Sequence, residues 1–471
     1  MKDCILLRYG EIGLKSKKTR AHFEIAYIKS IKDALRRNYF SDLKIDNLGG
    51  RFVVYCEPEA VSILERVAGI QSLSPAKQFM FKSKTDLLKQ VEKIGSSLVK
   101  GKTFAVKIKR IGKHEFNSLD LAKEAGSVLY DYSKGVDLTT PEVKIFLEIR
   151  DKECFFYTSI IDGVGGMPLN KNDKVLCLFS GGIDSPVAAF QMIKRGCNVD
   201  FLFVNLVGEE VLSDVSKIYN FLITKYAFGY SPKIFVIDAK PLVTKLKSKV
   251  PDSLRQIALK IVLYKIGEQI ADKNGHLFLS GGESLSQKSS QTLKSLLFIG
   301  KQVFIPMLRP LLTLDKIEII KIAQKLGTMS MSEKIKEFCN LSEGPVTTTP
   351  REEDIEKIPS FEKEIKDAVS KVSVTRGVLL VDELKPVKLS KNVISVDIRE
   401  LVVQKKNPLK TKLSVPYTEI FSRVNEFKKD SSYLFVCEFG VRSESVASEL
   451  RNKGVKAAGI SISNYLKYFK K

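Results

Sequence analysis

Histidine and closely spaced cysteines are scarce in this 471-residue chain. The three histidines, His22, His114 and His276, leave little room for histidine-based catalysis or for a histidine-rich metal site. The seven cysteines are odd in number and include no C-x-x-C pair, which argues against a disulfide framework, structural zinc and a simple metal cluster. No apolar run approaches the ~18 residues of a membrane span, and the opening residues do not resemble a secretory signal. We therefore expect a soluble cytoplasmic protein without a membrane contact or a metal-binding cluster of side chains.

Negative charge is in short supply as well. The chain has 77 lysine and arginine residues against 54 aspartate and glutamate residues, a formal net charge of +23 at pH 7. Such an excess favours a polyanionic partner, above all nucleic acid. A solvated basic surface would explain the same composition, so charge alone leaves both interpretations open. The length suggests roughly three or four domains.

Residues 174–190 combine an apolar run, a glycine turn and a helical pattern, and the turn reads SGGIDS at 180–185. Ser185 suits the N-cap of the helix, and Pro186 suits its first position. Glycines let a backbone approach an anion closely, and a helix N-terminus offers free N–H groups. The pattern is neither a Walker loop nor G-x-G-x-x-G; it resembles the PP-loop of the ATP pyrophosphatase superfamily, whose members release pyrophosphate. A plain tight turn is the alternative.

Strands alternate with helices along the whole chain, which predicts a multidomain α/β protein. Residues 1–58 form one small α/β unit with a basic loop, and residues 59–165 a second, in which strand 103–109 turns Lys107 and Lys109 outward. Residues 170–345 should form a parallel sheet with ligands at the carboxyl ends of its strands. The predicted strands of this sheet are 175–179, 199–205, 233–238, 276–280 and 303–306. The pattern of residues 346–375 predicts a linker with a short helix. The pattern of residues 376–471 predicts a last α/β unit.

Cys437 follows a predicted strand, 433–436, on a loop that enters a helix. A helix N-terminus stabilises a thiolate, and Arg442 would add to that effect. The loop C-x-x-G-x-R-S at 437–443 resembles the sulfur-carrying loop of rhodaneses, whose cysteine carries a persulfide. A cysteine buried in a core is the alternative. Beside such a site, Cys339 becomes a candidate partner thiol.

Several further stretches occur together with these two loops. They read RYGEIGLK at 8–15, GIQSLSPA at 69–76, GESLSQKSSQT at 282–292, and LRPL and DKIE within 308–318. Together they resemble the tRNA 4-thiouridine synthetase family over essentially the whole chain. Ser286 departs from the glycine usual in that family, and the spacing after Cys339 is a variant one.

The resemblance implies four domains: a ferredoxin-like unit (1–58), a THUMP RNA-binding domain (59–165), a PP-loop, adenine nucleotide alpha hydrolase-like domain (170–345), and, after the linker (346–375), a rhodanese-like domain (376–471). It further implies a tRNA uracil 4-sulfurtransferase that uses ATP and Mg²⁺ to adenylate the uridine at tRNA position eight. A persulfide on Cys437, loaded by a cysteine desulfurase, would supply the sulfur. Cys339 would then form a disulfide with Cys437, which a reductant reopens. Sulfur supply for thiamine thiazole synthesis and a homodimeric state are both left open.

Site residues follow from the same resemblance. The catalytic set is Cys437, Cys339, Arg442 and Asp184, and Asp184 positions either Mg²⁺ or the uridine. The nucleotide contacts are Leu178, Phe179, Ser180, Gly181, Gly182, Asp184, Ser185, Lys260, Gly282 and Gln291. The candidate tRNA contacts are Lys15, Lys17, Lys18, Arg20, Lys107, Lys109, Arg110 and Lys113. For Lys260, a solvated helix lysine is the alternative.

Two other functions fit part of the sequence. Another adenylating PP-loop enzyme, such as an amidotransferase-like synthetase, would leave Cys437 unexplained. A sulfur-relay or tRNA-binding protein without catalysis of its own would leave the loop at 180–185 without a role. Release of pyrophosphate that depends on added tRNA argues against a protein without catalysis of its own.

Overall fold

The computed structural model describes residues 1–41, 43–335, 341–379, 393–420 and 422–469. The chain divides into two units, Met1–Pro168 and Leu169–Lys471. Both are α/β, as the alternating sequence pattern predicts. Within the described ranges, no helix has the length and apolar character needed to cross a membrane.

The first unit builds a sheet from strands on both sides of residue 58. Its described strands are β1 (Lys2–Tyr9), β2 (Lys44–Asn47), β3 (Phe52–Tyr55), β4 (Ile70–Met80), β5 (Thr103–Ile111), β6 (Gly135–Val136), β7 (Val143–Arg150), β8 (Glu153–Tyr157) and β9 (Ile161–Asp162). The described helices are α1 (Lys17–Arg37), α2 (Val61–Leu64), α3 (Lys84–Val99) and α4 (Ser118–Tyr130). The sheet order is β2-β3-β1-β4-β8-β7-β5-β6, and β9 also pairs with β4. Because β1 pairs with β4 along its length, the sheet continues across residue 58; the domain boundary placed there stays a prediction.

Helices α3 and α4 cover one face of this sheet. Their apolar residues pack against Phe104, Ile145 and alternate residues of β7 and β8. Lys107 and Lys109 of β5 point to the other face and are exposed, as their alternation with apolar residues predicts. Strands β7 and β8 form an antiparallel pair. Helix α2 ends at Leu64, and Gly69, with φ +98°, turns the chain into β4.

The second unit contains a larger sheet. Its strands are β10 (Asn170–Leu178), β11 (Cys197–Asn205), β12 (Lys233–Asp238), β13 (Phe278–Ser280), β14 (Met307–Leu308) and β15 (Ser373–Arg376). The helices are α5 (Asp184–Lys194), α6 (Glu209–Tyr226), α7 (Lys240–Lys249), α8 (Arg255–Asn274), α9 (Leu293–Gly300), α10 (Lys316–Leu326), α11 (Met329–Ser332) and α12 (Glu362–Ser370). The order is β14-β13-β10-β11-β12-β15. The first five strands are parallel, as predicted, and β15 is antiparallel to β12.

Two parts of this sheet differ from the sequence-based expectation. The strand predicted at 303–306 is wrong, because the N–H groups of Phe304 and Ile305 donate to Glu268 Oε1 at 2.6 and 3.0 Å instead of joining a ladder. The strand β14 forms just after them. The predicted linker 346–375 contains α12, whose Ile365 is buried in the same core as α8. It then continues into β15, so much of it belongs to the folded sheet.

The remainder of the second unit carries a smaller sheet. Its strands are β16 (Ile394–Asp397), β17 (Leu413–Ser414), β18 (Ser432–Cys437) and β19 (Lys456–Ser461). Its helices are α13 (Leu401–Lys406), α14 (Tyr417–Ile420), α15 (Val441–Asn452) and α16 (Ile462–Phe469). All of its paired strands are parallel, in the order β17-β16-β18-β19. Cys437 is the last residue of β18, so its loop leads from a central strand into α15.

Candidate active site

The turn after β10 folds around the hydroxyl of Ser185. Ser185 Oγ accepts hydrogen bonds from the backbone N–H groups of Ser180 and Gly181, each at 3.1 Å. Helix α5 begins at Asp184, two residues earlier than predicted, with Ile183 as its N-cap residue. The prediction that Ser185 caps the helix is therefore wrong, because its hydroxyl turns back to fasten the loop. Gly181 has φ +78°, and a Cβ there would come within 2.9 Å of Val215, so this position requires glycine.

A cavity of about 610 Å³ opens at the carboxyl ends of β10, β11 and β13. It lies where the parallel sheet predicts a ligand site. All of the predicted nucleotide contacts except Gly181 and Gly182 line it, namely Leu178, Phe179, Ser180, Asp184, Ser185, Lys260, Gly282 and Gln291. Asn205, the last residue of β11, and Leu206 and Val207 after it line the cavity as well. The structure thus brings together side chains that are more than a hundred positions apart in sequence.

Asp184 stands at the first position of α5, and its carboxylate is held from two sides. Lys316 Nζ donates to Oδ1 at 2.7 Å, and Gln287 Nε2 donates to Oδ2 at 2.9 Å. Gly282 packs directly behind, where an added Cβ would lie 3.0 Å from the backbone carbonyl carbon of Asp184. Sequence reasoning did not assign Lys316 or Gln287 to the site. Lys316 lies in the stretch 308–318 and Gln287 in the stretch 282–292, both of which resemble the family. That resemblance does not reveal that either residue contacts Asp184.

A second ion pair lies deeper in the cavity wall. Glu283 is almost completely buried, and its Oε1 accepts hydrogen bonds from Lys260 Nζ at 2.6 Å and from Tyr264 Oη at 2.7 Å. Burial opposes the charge of Glu283, but the charge and hydrogen bond of Lys260, together with the Tyr264 hydroxyl, hold its pKa below the usual value. Lys260 is therefore not a solvated helix lysine. Glu283 was not predicted, although Lys260 and Tyr264 are spaced to share one face of α8.

Cys437 lies in the smaller sheet and is buried, with 2% of its surface exposed. Its Sγ donates to Ser443 Oγ at 3.3 Å and accepts from the Ser443 N–H at 3.4 Å. Burial is the dominant effect and raises the pKa of the thiol; the charge of Glu438 raises it further, and the Ser443 and Phe439 hydrogen bonds only partly offset this. The expectation of a stabilised thiolate is thus wrong for this form of the protein, because desolvation outweighs the helix N-terminus.

Arg442 does not turn toward Cys437. Its guanidinium lies over the rings of Tyr417 and Phe221, at 4.9 and 5.4 Å from their centroids. It also lies 3.6 Å from Glu400 Oε1, which accepts a hydrogen bond from Lys225 at 2.6 Å. The side chain is held by Tyr417, by Glu400 and by Phe221 of helix α6, so the predicted support of a thiolate by Arg442 is also wrong here. Cys339, the predicted partner thiol, lies outside the described residues.

The predicted tRNA contacts fall into two groups. Lys15, Lys17 and Lys18 are exposed around the start of α1, while Arg20 Nη2 donates to the carbonyl oxygens of Gly13 and Lys15 at 2.7 and 3.2 Å and so fastens that loop. The others are on or just after β5. Lys107, Lys109 and Lys113 are exposed. Arg110 points to the opposite face of β5 from Lys107 and Lys109, where its guanidinium lies 5.8 Å from the ring centroid of Phe116.

Comparison with known proteins places the chain in a family. Residues 170–364 match the family model of the thiamine biosynthesis protein (ThiI), residues 4–74 the ThiI ferredoxin-like domain, and residues 81–159 the THUMP domain. The chain is similar to the tRNA sulfurtransferase of Pyrobaculum aerophilum, at 33% identity over 97% of this chain and 96% of the relative. It is also similar to the probable tRNA sulfurtransferase of Saccharolobus solfataricus, at 39% identity over 77% of this chain and 95% of the relative.

Among solved structures, the chain is similar to a 4-thiouridine synthetase over most of its length. That structure is the crystal structure of a 4-thiouridine synthetase–RNA complex with bound ATP, at 25% identity and a TM-score of 0.69. The match covers 80% of this chain and all of that one. With the fold, the loop at 180–185 and the near full-length relatives in agreement, the chain belongs to the tRNA sulfurtransferase family.

Proposed function

We propose that this member of the tRNA sulfurtransferase family activates the uridine at tRNA position eight with ATP and replaces its carbonyl oxygen with sulfur, making 4-thiouridine. The observation that carries the proposal is the cavity that joins the 180–185 loop, Lys260, Gly282 and Gln291 at one edge of a parallel sheet. A carbonyl oxygen is a poor leaving group, whereas AMP is a good one. An enzyme that exchanges this oxygen for sulfur therefore needs a nucleotide site.

The cavity residues fit ATP. Gln291 is buried, and its Oε1 has no hydrogen-bond partner in the part of the chain that the structure describes, so it is available to accept a bond from the ligand. Ser180, Gly181 and Gly182 precede the N-terminus of α5, where backbone N–H groups favour phosphate. Lys260 brings a positive charge to the same space, fixed by Glu283. In this proposal, Mg²⁺ accompanies the triphosphate.

Asp184 is the residue that we assign to the uridine. Both carboxylate oxygens retain a lone pair after accepting from Lys316 and Gln287, so the group can still accept an N–H bond from a base. The ammonium of Lys316, 2.7 Å away, disfavours a second cation at the same oxygen. Asp184 would therefore orient the base, whose O4 attacks the α-phosphate and displaces pyrophosphate.

Cys437 would carry the sulfur in a rhodanese-like domain. Its position at the end of a central parallel strand, on a short loop before α15, supports this assignment. A cysteine desulfurase would load the terminal sulfur as a persulfide. That sulfur attacks C4 of the activated uridine and AMP leaves; the thiolate of Cys339 attacks Cys437 Sγ, which breaks the S–S bond and leaves a disulfide for an external reductant to reopen. A cytoplasmic location, a homodimer and a role in thiazole synthesis remain predictions.

The decisive experiment combines the full-length protein with unmodified tRNA, Mg²⁺-ATP and a persulfide donor. We expect tRNA-dependent release of pyrophosphate and the near-ultraviolet absorbance of 4-thiouridine. ATP cleavage to AMP and pyrophosphate without thiolation would indicate another adenylating PP-loop enzyme. Absence of both would contradict the proposal and favour a binding or sulfur-relay role.

A further inference from the structure

A buried carboxylate in the first unit is surrounded by more cations than it can balance. Glu148 of β7 is completely buried. Arg150 donates to Glu148 Oε1 through Nη2 at 2.8 Å and Nε at 3.0 Å, and Arg51 Nε lies 3.4 Å from Oε2. Arg150 Nη1 also donates to the carbonyl oxygen of Leu48 at 2.8 Å, which ties the β2–β3 turn to β7. These two arginines are sufficient to satisfy Glu148.

Two further cations approach the same group. Lys109 lies beside Glu148 in register on the neighbouring strand. Partial burial lowers the pKa of Lys109, and the positive charges of Arg51, Arg150 and Arg8 lower it further, although Glu148 opposes them. The lysine is therefore held among like charges.

Arg8 of β1 completes the group. Its guanidinium lies 5.0 Å from the ring centroid of Tyr157, and its Nη1 donates to Ser74 Oγ at 3.0 Å. Its Nη2 is buried and makes no hydrogen bond to any described residue. A donor of this kind is costly to leave unsatisfied, particularly on a charged group. Tyr157 in turn stacks on Phe146 at 5.1 Å, so the platform beneath Arg8 is rigid.

We call Arg8, Arg51, Lys109 and Arg150, arranged around Glu148, the Glu148 cluster. Because it contains four cations and one carboxylate, it is strongly positive within a partly desolvated environment. Repulsion of this kind has a free-energy cost that a bound anion would offset. Arg8 as a whole is only partly buried, and a guanidinium that lacks an acceptor for one of its N–H groups is well suited to a phosphate oxygen.

We propose that the Glu148 cluster binds a phosphate of the RNA backbone, with Arg8 and Lys109 as the groups that face it. This assignment rests on the proposed function, since tRNA is the anion that such an enzyme must hold. Arg51 and Arg150 are positioning residues, because Glu148 engages both. The site differs from the exposed lysines predicted from sequence because three of its four cations are held in place: Arg8 by Ser74 and Tyr157, and Arg51 and Arg150 by Glu148. Lys109 is the one exposed lysine that the two sets share.

The test compares Arg8→Gln and Lys109→Gln with Lys93→Gln. Lys93 is exposed on α3, which packs on the opposite face of the sheet, so its variant removes the same charge away from the cluster. We expect tRNA affinity to fall about tenfold in each cluster variant, and the slope of log affinity against log salt to decrease by about one. Losses equal to that of Lys93→Gln would overturn the site, because they would reflect net charge alone.

The melting temperature is a second readout. In Lys109→Gln it should rise, whereas tRNA affinity should fall. Glu148 keeps both of its arginines in Lys109→Gln, so removing the extra charge should raise the melting temperature of the RNA-free protein at low salt. Inorganic phosphate should raise the melting temperature of the wild type more than that of the variant. If Lys109→Gln lowers the melting temperature, Lys109 has a structural role and the proposal fails.

The remaining outcomes separate this site from the proposed function. If the wild type releases pyrophosphate in response to tRNA but Arg8→Gln binds tRNA equally well, the site is wrong and the function stands. A phosphate effect on melting with unchanged tRNA affinity would assign the cluster to a free anion and overturn the RNA assignment. If the wild type binds no tRNA, both fail.

Discussion

Lys316 follows Asp184 by 132 positions in the chain, yet its Nζ lies 2.7 Å from Asp184 Oδ1. The contact joins the start of α10 to the start of α5, and Gln287 holds the other carboxylate oxygen at 2.9 Å. Asp184 is thus fixed by residues from two other segments of the chain. A carboxylate held in this way needs little reorganisation when substrate arrives.

Removal of this ion pair should affect catalysis more than folding. We expect Lys316→Ala to reduce kcat for tRNA-dependent pyrophosphate release by roughly a hundredfold, because Asp184 loses its fixed orientation. Lys316→Arg should recover part of the rate. The matched control is Lys325→Ala, an exposed lysine near the end of the same helix. A rate for Lys316→Ala equal to that of the control would contradict this role.

Gly282 should tolerate no side chain. In Gly282→Ala the Cβ would lie 3.0 Å from the backbone and Cβ of Asp184, so α5 or the β13 loop must shift. We expect a higher KM for ATP and a lower kcat. Gly300→Ala is the control, because a Cβ there would meet no atom within 4 Å. Equal kinetics in the two variants would show that the close approach has no functional consequence.

Glu283 should make the folded protein less stable as the pH falls. Its folded-state pKa lies below the usual 4.5, so ionised Glu283 stabilises the fold above that pH, and this contribution is lost as the pH falls toward the folded value. We expect Glu283→Gln to be less stable than the wild type at pH 7. The difference in melting temperature should shrink below about pH 4.5. A difference that stays constant across this range would rule out the ionised pair with Lys260.

Cys437 should react slowly as a free thiol. Its pKa is raised from 9.0 by burial, so alkylation by iodoacetamide at pH 7.5, followed on the Cys437 peptide by mass spectrometry, should be slower than for a solvated thiol. Ser443→Ala removes the hydroxyl partner of the sulfur, which should raise the pKa further and slow the reaction. Faster alkylation in this variant at unchanged stability would mean that access, rather than ionisation, limits the rate.

The same cysteine separates the two half-reactions. Cys437→Ala should still release pyrophosphate with tRNA, because the cavity of the larger sheet does not include it, but it should form no 4-thiouridine. Cys339→Ala should lose turnover at the resolving step. If Cys437→Ala still thiolates tRNA, then tRNA remains the substrate, but a group other than Cys437 must carry the sulfur.

Elements with strong local signals were predictable. The strand at 233–238 is an apolar-rich run, and its predicted bounds match the structure. The strand expected at 303–306 failed because a glutamate 36 and 37 positions away captures the N–H groups of Phe304 and Ile305, which no local pattern reveals. Ser185 failed as a cap for a similar reason, since the loop competes for its hydroxyl.

The candidate site was predictable as a set of residues but not as a network. Eight of the ten predicted nucleotide contacts, including Lys260 and Gln291, line the cavity. The partners Glu283 and Lys316 were not assigned, because ion pairs form through tertiary contacts. The ionisation of Cys437 was misjudged for the same reason: a helix N-terminus is visible in a sequence, whereas the extent of burial is not.

The position of the antiparallel strand β15 determines where a fragment of the chain can end and still fold. Its residues 373–376 complete the sheet edge beside β12, and α12 just before it fills the core next to α8. A fragment that stops at residue 345 would expose apolar surface and leave the edge of β12 unpaired, a template for aggregation. A self-sufficient nucleotide-binding piece should therefore extend at least through Arg376.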